Sequence, residues 1–215
     1  MDSKALFSLS YGVFILGAKT EAKISACVTN TCMQVANDPV RIAISLLNRN
    51  YTCQMIKECG SFALSVLDKS VSFDTIKHFG FQSGRDVEKF KDFEYSLDLN
   101  GNPYIKAETC AVISAKVLSS QDLGTHTLFI AEVQNAEILS SRAPVTYADY
   151  QNEIKPKAGA QKPAQGAQSD QPQKKIVGWR CKICGYELME AELPADYICP
   201  LCGHPAEDFE PIYEA

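Results

Sequence analysis

Apolar and polar positions alternate with a short period through the first two thirds of the chain. The runs "YGVFILGA", "KISACVTNTCMQVA" and "VRIAISLL" are rich in β-branched and aromatic residues and are separated by turn residues, which predicts strands. "FALSVL" predicts another. "AVISAKVLSSQDLGTHTLFIAEVQNAEIL" reads as two long β-branched runs around "QDLGT", a hairpin. A helical period surfaces only briefly. "YTCQMIKEC" followed by Gly60 predicts a short helix with a glycine C-cap. "SFDTIKHFGF" predicts a second, with Ser72 and Asp74 as N-cap candidates. Strands this frequent, with so little helix between them, favour an antiparallel barrel or sandwich over a parallel sheet.

The pattern lapses over residues 151–175, "QNEIKPKAGAQKPAQGAQSDQPQKK", which are rich in Gln, Ala, Pro and Lys and hold one isolated Ile. This is a linker composition. A flexible tether of that length has a root-mean-square span of roughly 25–30 Å and a full reach of about 80–90 Å. The expected organisation is a domain over 1–150, a linker over 151–175 and a small module over 176–215.

The chain has 215 residues and a formal net charge of −5, which suits one large domain and one small one. From Ile176 onward two basic and eight acidic residues give −6, so the remainder carries +1. A small acidic module on a near-neutral body implies docking to a protein partner. No basic patch interleaved with aromatics points to nucleic acid. No apolar run reaches the length of a membrane span. The N-terminus lacks a basic n-region and a small-residue cleavage site, so the expected location is cytoplasmic.

There are nine cysteines. Cys27, Cys32, Cys53, Cys59 and Cys110 are scattered and odd in number, which reads as buried thiols. Cys181, Cys184, Cys199 and Cys202 form two CxxC pairs separated by 14 residues. Each CxxC lets two thiolates grip one metal from a tight turn, and two such turns complete a tetrahedral four-sulfur site. Gly185 and Gly203 follow the second cysteine of each pair, where a positive φ lets N–H groups point at sulfur. Spacing alone fits a structural zinc ribbon or a single iron. Trp179 before the first ligand, "CGY" after the second, the closing "CPLCG" and a following "DF" resemble rubredoxin in a shortened form. That resemblance implies iron. A four-thiolate iron has no open coordination position, so it carries single electrons and binds no substrate.

The larger domain has no GxGxxG, Walker loop, HExxH or GxSxG. Three stretches concentrate polar groups. "ACVTNTCMQVANDP" places Asn30, Thr31 and Gln34 on an apolar strand. "ISLLNRNYTCQMI" gathers Ser45, Asn48, Tyr51 and Thr52 where a strand ends and a helix begins, which suits a phosphate. "HFGFQSGRDVEKF" offers Ser83, Gly84, Arg85 and Lys89 in a loop. Each alone is matched by a structural reading as capping hydroxyls and solvated loop groups. Together with the opening "LSYGVFIL", the "GTHTLFIAEV" strand and the closing "RAPVTYADY", they resemble the flavin reductase-like family. The resemblance implies a split β-barrel, usually a homodimer, binding FMN near the subunit interface. It would put Asn30, Thr31 and Cys32 beside the isoalloxazine ring. Ser45, Asn48, Tyr51 and Thr52 would hold phosphate and ribityl groups, and the loop of Ser83, Arg85 and Lys89 would close over the phosphate. His126 would approach the flavin or nicotinamide face, against a structural reading as a strand-start histidine with a satisfied hydrogen bond.

The whole arrangement resembles the high-molecular-weight rubredoxin type. It implies that NADH or NADPH reduces FMN, that single electrons pass on to iron, and that a flavodiiron protein acting on nitric oxide or oxygen is the acceptor. Two alternatives stay open at this level. One is a free flavin or ferric reductase with a structural zinc ribbon. The other is an FMN-sensing module that takes no hydride.

Overall fold

The computed structural model describes residues 5, 8–156, 176–181, 186–199 and 205–213. One compact unit comprises Ser10–Lys155, and a second includes the described residues from Ile176 on. Among the described residues no helix is long and apolar enough to cross a membrane.

The larger unit runs β1 (Phe14–Lys19), β2 (Ile24–Thr29), β3 (Cys32–Asn37), β4 (Val40–Leu47), α1 (Tyr51–Cys59), β5 (Ser61–Leu67), α2 (Phe73–Gly80), β6 (Ser96–Leu97), β7 (Pro103–Tyr104), β8 (Thr109–Asp122) and β9 (His126–Ile138). Seven strands form one sheet in the order β2-β1-β5-β8-β9-β4-β3. Every neighbouring pair is antiparallel. The edge strands β2 and β3 are consecutive, separated only by Asn30 and Thr31. Laid flat, seven strands would hold their edges about 29 Å apart, yet three Cα steps span at most about 11 Å. The sheet is therefore curled until its edges meet at Asn30–Thr31, as in a barrel. The segment "KISACVTNTCMQVA", expected as one strand, is thus two strands on opposite edges. Thr29 and Thr31 mark the break, their hydroxyls 3.2 Å apart.

The barrel is split because its longest hairpin is only half covered. β5 pairs with β8 from Thr109 to Lys116, and β4 pairs with β9 from His126 to Glu132. The remaining half of each long strand is largely exposed, including Leu118 and Ile138.

Alternation puts the two faces of β1 in two cores. Phe14, Leu16 and Ala18 join Ile44, Phe62, Phe129 and the α1 residues Cys53, Met55 and Ile56. Val13 and Ile15 join Ile76 and Phe79 of α2, with Phe90 and Ile105. Helix α1 is capped as its sequence demands. Asn50 Oδ1 accepts from the Thr52 N–H at 3.0 Å, and Gly60 closes the end at φ 69° with its N–H donating to the Ile56 carbonyl at 2.9 Å. Ser72, not Asp74, caps α2, its Oγ accepting from the Thr75 N–H at 3.2 Å. Residues Tyr147–Asp149 and Tyr150–Ile154 form further helical turns. Ile154, read from sequence as an isolated linker residue, packs against the second core.

The C-terminal unit is a three-stranded sheet in the order β11 (Glu187–Leu188), β10 (Ile176–Cys181), β12 (Phe209–Tyr213). Cys181 ends β10 opposite Phe209.

Candidate functional site

The β4–α1 corner gathers most of the polar residues singled out from sequence. Thr31 Oγ1 donates to the Ser45 carbonyl at 2.6 Å, and the Ser45 N–H donates to the Thr31 carbonyl at 3.4 Å. The edge junction carrying Asn30 and Thr31 is thereby stitched to β4. In the ladder Ser45 faces Leu128 and Leu47 faces His126, so Thr31, Ser45 and His126 line one stretch. His126 is half-buried, with Nδ1 2.8 Å from Thr125 Oγ1. Burial, then the Arg49 charge, hold its imidazole below the ordinary histidine range, so it is neutral at pH 7.

The beginning of α1 is cationic. The Tyr51 ring has Lys23 Nζ and the Arg85 guanidinium each 5.1 Å from its centroid. Arg85 spans the first turn of α1, donating to the Arg49 carbonyl at 3.2 Å and to Gln54 Oε1 at 2.6 Å. No acidic residue occupies that turn. Positive side chains at the positive end of a helix dipole are unfavourable unless an anion joins them. The Arg85 loop is held by its own N–H, which donates to Ser83 Oγ at 3.1 Å. Gly84 lies directly on β2 and α1: a Cβ there would collide with Ser25 Oγ and crowd Tyr51. Ser25 Oγ is fully buried and has no hydrogen-bond partner among the described residues.

Three expected ligands are turned to other work. Asn48 donates to the Gly124 carbonyl at 2.8 Å and to Asp122 Oδ1 at 3.2 Å, and accepts from Thr127 Oγ1 at 2.5 Å. Its amide locks the β8–β9 turn and so positions His126. Thr52 is buried, its N–H taken by the Asn50 cap and its hydroxyl directed at Cys27. Lys89 is 1% exposed, and its ammonium donates to the carbonyls of His78 and Phe79 at 2.9 and 2.8 Å. It satisfies the orphan carbonyls at the end of α2, and burial pushes it down to about 8. The lysine beside Tyr51 at the start of α1 is Lys23. Nothing in its sequence context marks it, because its position depends on β2 folding against α1. Asn50 was legible as an Asn immediately before a helix.

Cys32 is a quiet thiol. Burial pushes it up to about 12, so it is protonated at neutral pH and offers no nucleophile beside Asn30 and Thr31. Burial likewise pushes Cys27 up to about 11, opposed by Thr52 and Asn50.

In the C-terminal unit Cys181 and Cys199 are both fully buried in one cluster with Phe209, packed by Trp179, Tyr186, Leu193 and Tyr197. The Cys181 N–H donates to the Tyr186 carbonyl at 2.8 Å, closing the first knuckle. Cys184 and Cys202 lie outside the described residues. Two soft thiol donors buried in one aromatic cluster fit a thiolate-held metal.

Residues 6–155 match the flavin reductase like domain. The chain belongs to the flavin reductase-like family. Its C-terminal residues 179–210 match the rubrerythrin, rubredoxin-like domain. Across its length this flavin reductase-like chain is similar to a high molecular weight rubredoxin of Moorella thermoacetica, 35% identical over 99% of this chain and all of that protein. A ferric-chelate reductase (NAD(P)H) of Archaeoglobus fulgidus is 38% identical over 70% of this chain and 89% of its own. Among solved structures, the Streptomyces globisporus NADH:FAD oxidoreductase SgcE6 superposes with a TM-score of 0.61 at 21% identity, covering 66% of this chain and 84% of that one, a likeness of fold. The protein is thus a flavin-linked oxidoreductase of split-barrel fold joined to a rubredoxin-like iron domain, an electron-transfer pairing.

Proposed function

We propose that the chain passes electrons from NADH or NADPH, through FMN held on the barrel, to iron held by Cys181, Cys184, Cys199 and Cys202, and on to a separate redox protein of the flavodiiron type. The observation that carries the flavin half is the pair of cations, Lys23 and Arg85, bracketing Tyr51 at the acid-free start of α1. That is a donor set for a phosphate. The names of the two curated relatives support the nicotinamide donor and the rubredoxin outlet. FMN accepts a hydride as two electrons and can release them singly, whereas a four-thiolate iron moves one at a time, so each hydride requires two passages through the iron.

In this reading the chain's own groups bind and orient. Arg85 and Lys23 neutralise the phosphate, and the first turn of α1 supplies N–H donors. Asn30 and Thr31 border the ring from the edge junction, with Ser45 toward the ribityl and phosphate groups. His126, neutral and fixed by Thr125, faces the donor without adding charge. Of the expected linker 151–175, residues 151–154 belong to the barrel's last helical turn, and the remainder tethers the two domains. The half-covered β8–β9 hairpin, whose exposed half is mostly polar with Leu118 and Ile138 among it, leaves sheet surface for a homodimer contact. Exposed Glu190, Glu192, Asp196 and Glu207, beside a Glu187 already paired with Arg180, leave the small domain acidic toward its acceptor.

Cys181→Ser tests the path. It is expected to abolish electron delivery to a flavodiiron acceptor while NADH-dependent flavin reduction stays within about twofold of the parent. Acceptor turnover that survives the substitution would show that electrons leave by another route.

A further inference from the structure

Helix α2 ends at Gly80, and the chain then runs out past Arg85 and back to Phe90 in a compact surface loop. A reciprocal pair of contacts closes the neck of this loop. His78 Nε2 lies 2.7 Å from the Lys89 carbonyl, an oxygen that only accepts, so Nε2 carries the proton and donates. The Lys89 ammonium donates back to the His78 carbonyl at 2.9 Å and to the Phe79 carbonyl at 2.8 Å. Each residue thus grips the backbone of the other. Aromatic rings shield the neck. Phe93 stacks on His78 with centroids 4.9 Å apart, and Phe79 lies 5.4 Å from the buried Phe90. The tip of the loop is a tight turn, in which the Asp86 and Val87 N–H groups both donate to the Ser83 carbonyl, at 3.1 and 3.2 Å. The clasp therefore sits at the end of α2, while the side chain that the loop delivers, Arg85, lies across the start of α1.

We propose that His78 and Lys89 form a positioning pair, whose reciprocal grip holds the loop so that Arg85 stays across the start of α1 and the site favours a flavin that carries a phosphate over one that does not. The inference rests on the reading of α1 as the phosphate site. Binding costs less when the loop that supplies a contact is already ordered. FMN gains from a guanidinium held in place, and riboflavin, which has no phosphate, gains nothing from it. The pair thus sets flavin preference through Arg85 and not by a contact of its own.

His78→Phe removes the donor and keeps a ring against Phe93. In the full chain freed of flavin, amide hydrogen exchange over residues 83–87 is expected to quicken about tenfold in this variant. By fluorescence titration its FMN affinity is expected to fall about fivefold while riboflavin affinity holds. His78→Gln, whose amide nitrogen can stand where Nε2 stands, is expected to restore both. In an Arg85→Ala background His78→Phe is expected to change FMN affinity no further, since its action runs through Arg85. Exchange over 83–87 at the parent rate, FMN and riboflavin weakened alike, or losses that multiply with Arg85→Ala would each overturn the proposal. A loop that loosens in His78→Phe while FMN affinity ignores Arg85→Ala supports the clasp and counts against the α1 phosphate site, which tells the two failures apart.

Discussion

At the scale of single residues, charge placement decides what each basic side chain does. Arg85 and Lys89 stand four positions apart in one loop, yet Arg85 crosses the open start of α1 whereas Lys89 is buried under the end of α2. Arg85→Ala is expected to weaken FMN binding about tenfold, the loss of one charge-assisted contact, with little change in thermal stability because the side chain is exposed. Fluorescence titration and a melting curve separate the two. Lys89 has the opposite profile. Burial, its main influence, holds its ammonium down to about 8 in the fold, against about 10.4 in an unfolded chain. Between these values the unfolded state binds more protons, so Lys89's contribution to stability rises with pH from about 8 to 10.4. In denaturant melts the parent is expected to gain on Lys89→Met across that window. A constant difference would mean that Lys89 titrates as if solvated.

At the scale of elements, glycines separate backbone demands from packing demands. Gly60 holds φ 69° with no atom near enough to crowd an added Cβ, so Gly60→Ala tests conformation alone and is expected to cost about 1 kcal/mol. Gly17 sits mid-strand in β1, where an added Cβ would run into the Pro103 carbonyl. Gly17→Ala is expected to cost about 3 kcal/mol, because a backbone group cannot swing aside. Chemical denaturation of both variants checks the ratio. Elements whose signals are local were legible in the sequence. The α1 boundaries follow from Gly60 and from apolar spacing, and the β8–β9 hairpin from two β-branched runs around Gly124. The break at Asn30–Thr31 was not legible, because the residues on both sides keep the strand alternation. Only closure of the sheet assigns them to opposite edges. For the same reason nothing local marks Lys23, whereas Lys89 stands in a Gly-bearing polar loop. Donor type can be read from a sequence, but which way a lysine points depends on helices packed from elsewhere in the chain.

At the scale of the whole molecule, the chain joins two chemistries that cannot substitute for each other. The barrel offers a cationic helix start and a polar edge junction, which suit a flavin. The C-terminal unit buries Cys181 and Cys199 in one aromatic cluster, which suits electron passage. Neither the free-reductase reading nor the sensing reading uses both. The most direct test is one anaerobic absorption experiment on the full chain, recorded as isolated and after addition of NADH. The predicted result is a spectrum of flavin plus ferric thiolate in which both sets of bands bleach together. Flavin that bleaches while the ferric bands persist, or a C-terminal unit that is colourless and holds zinc, would contradict the account.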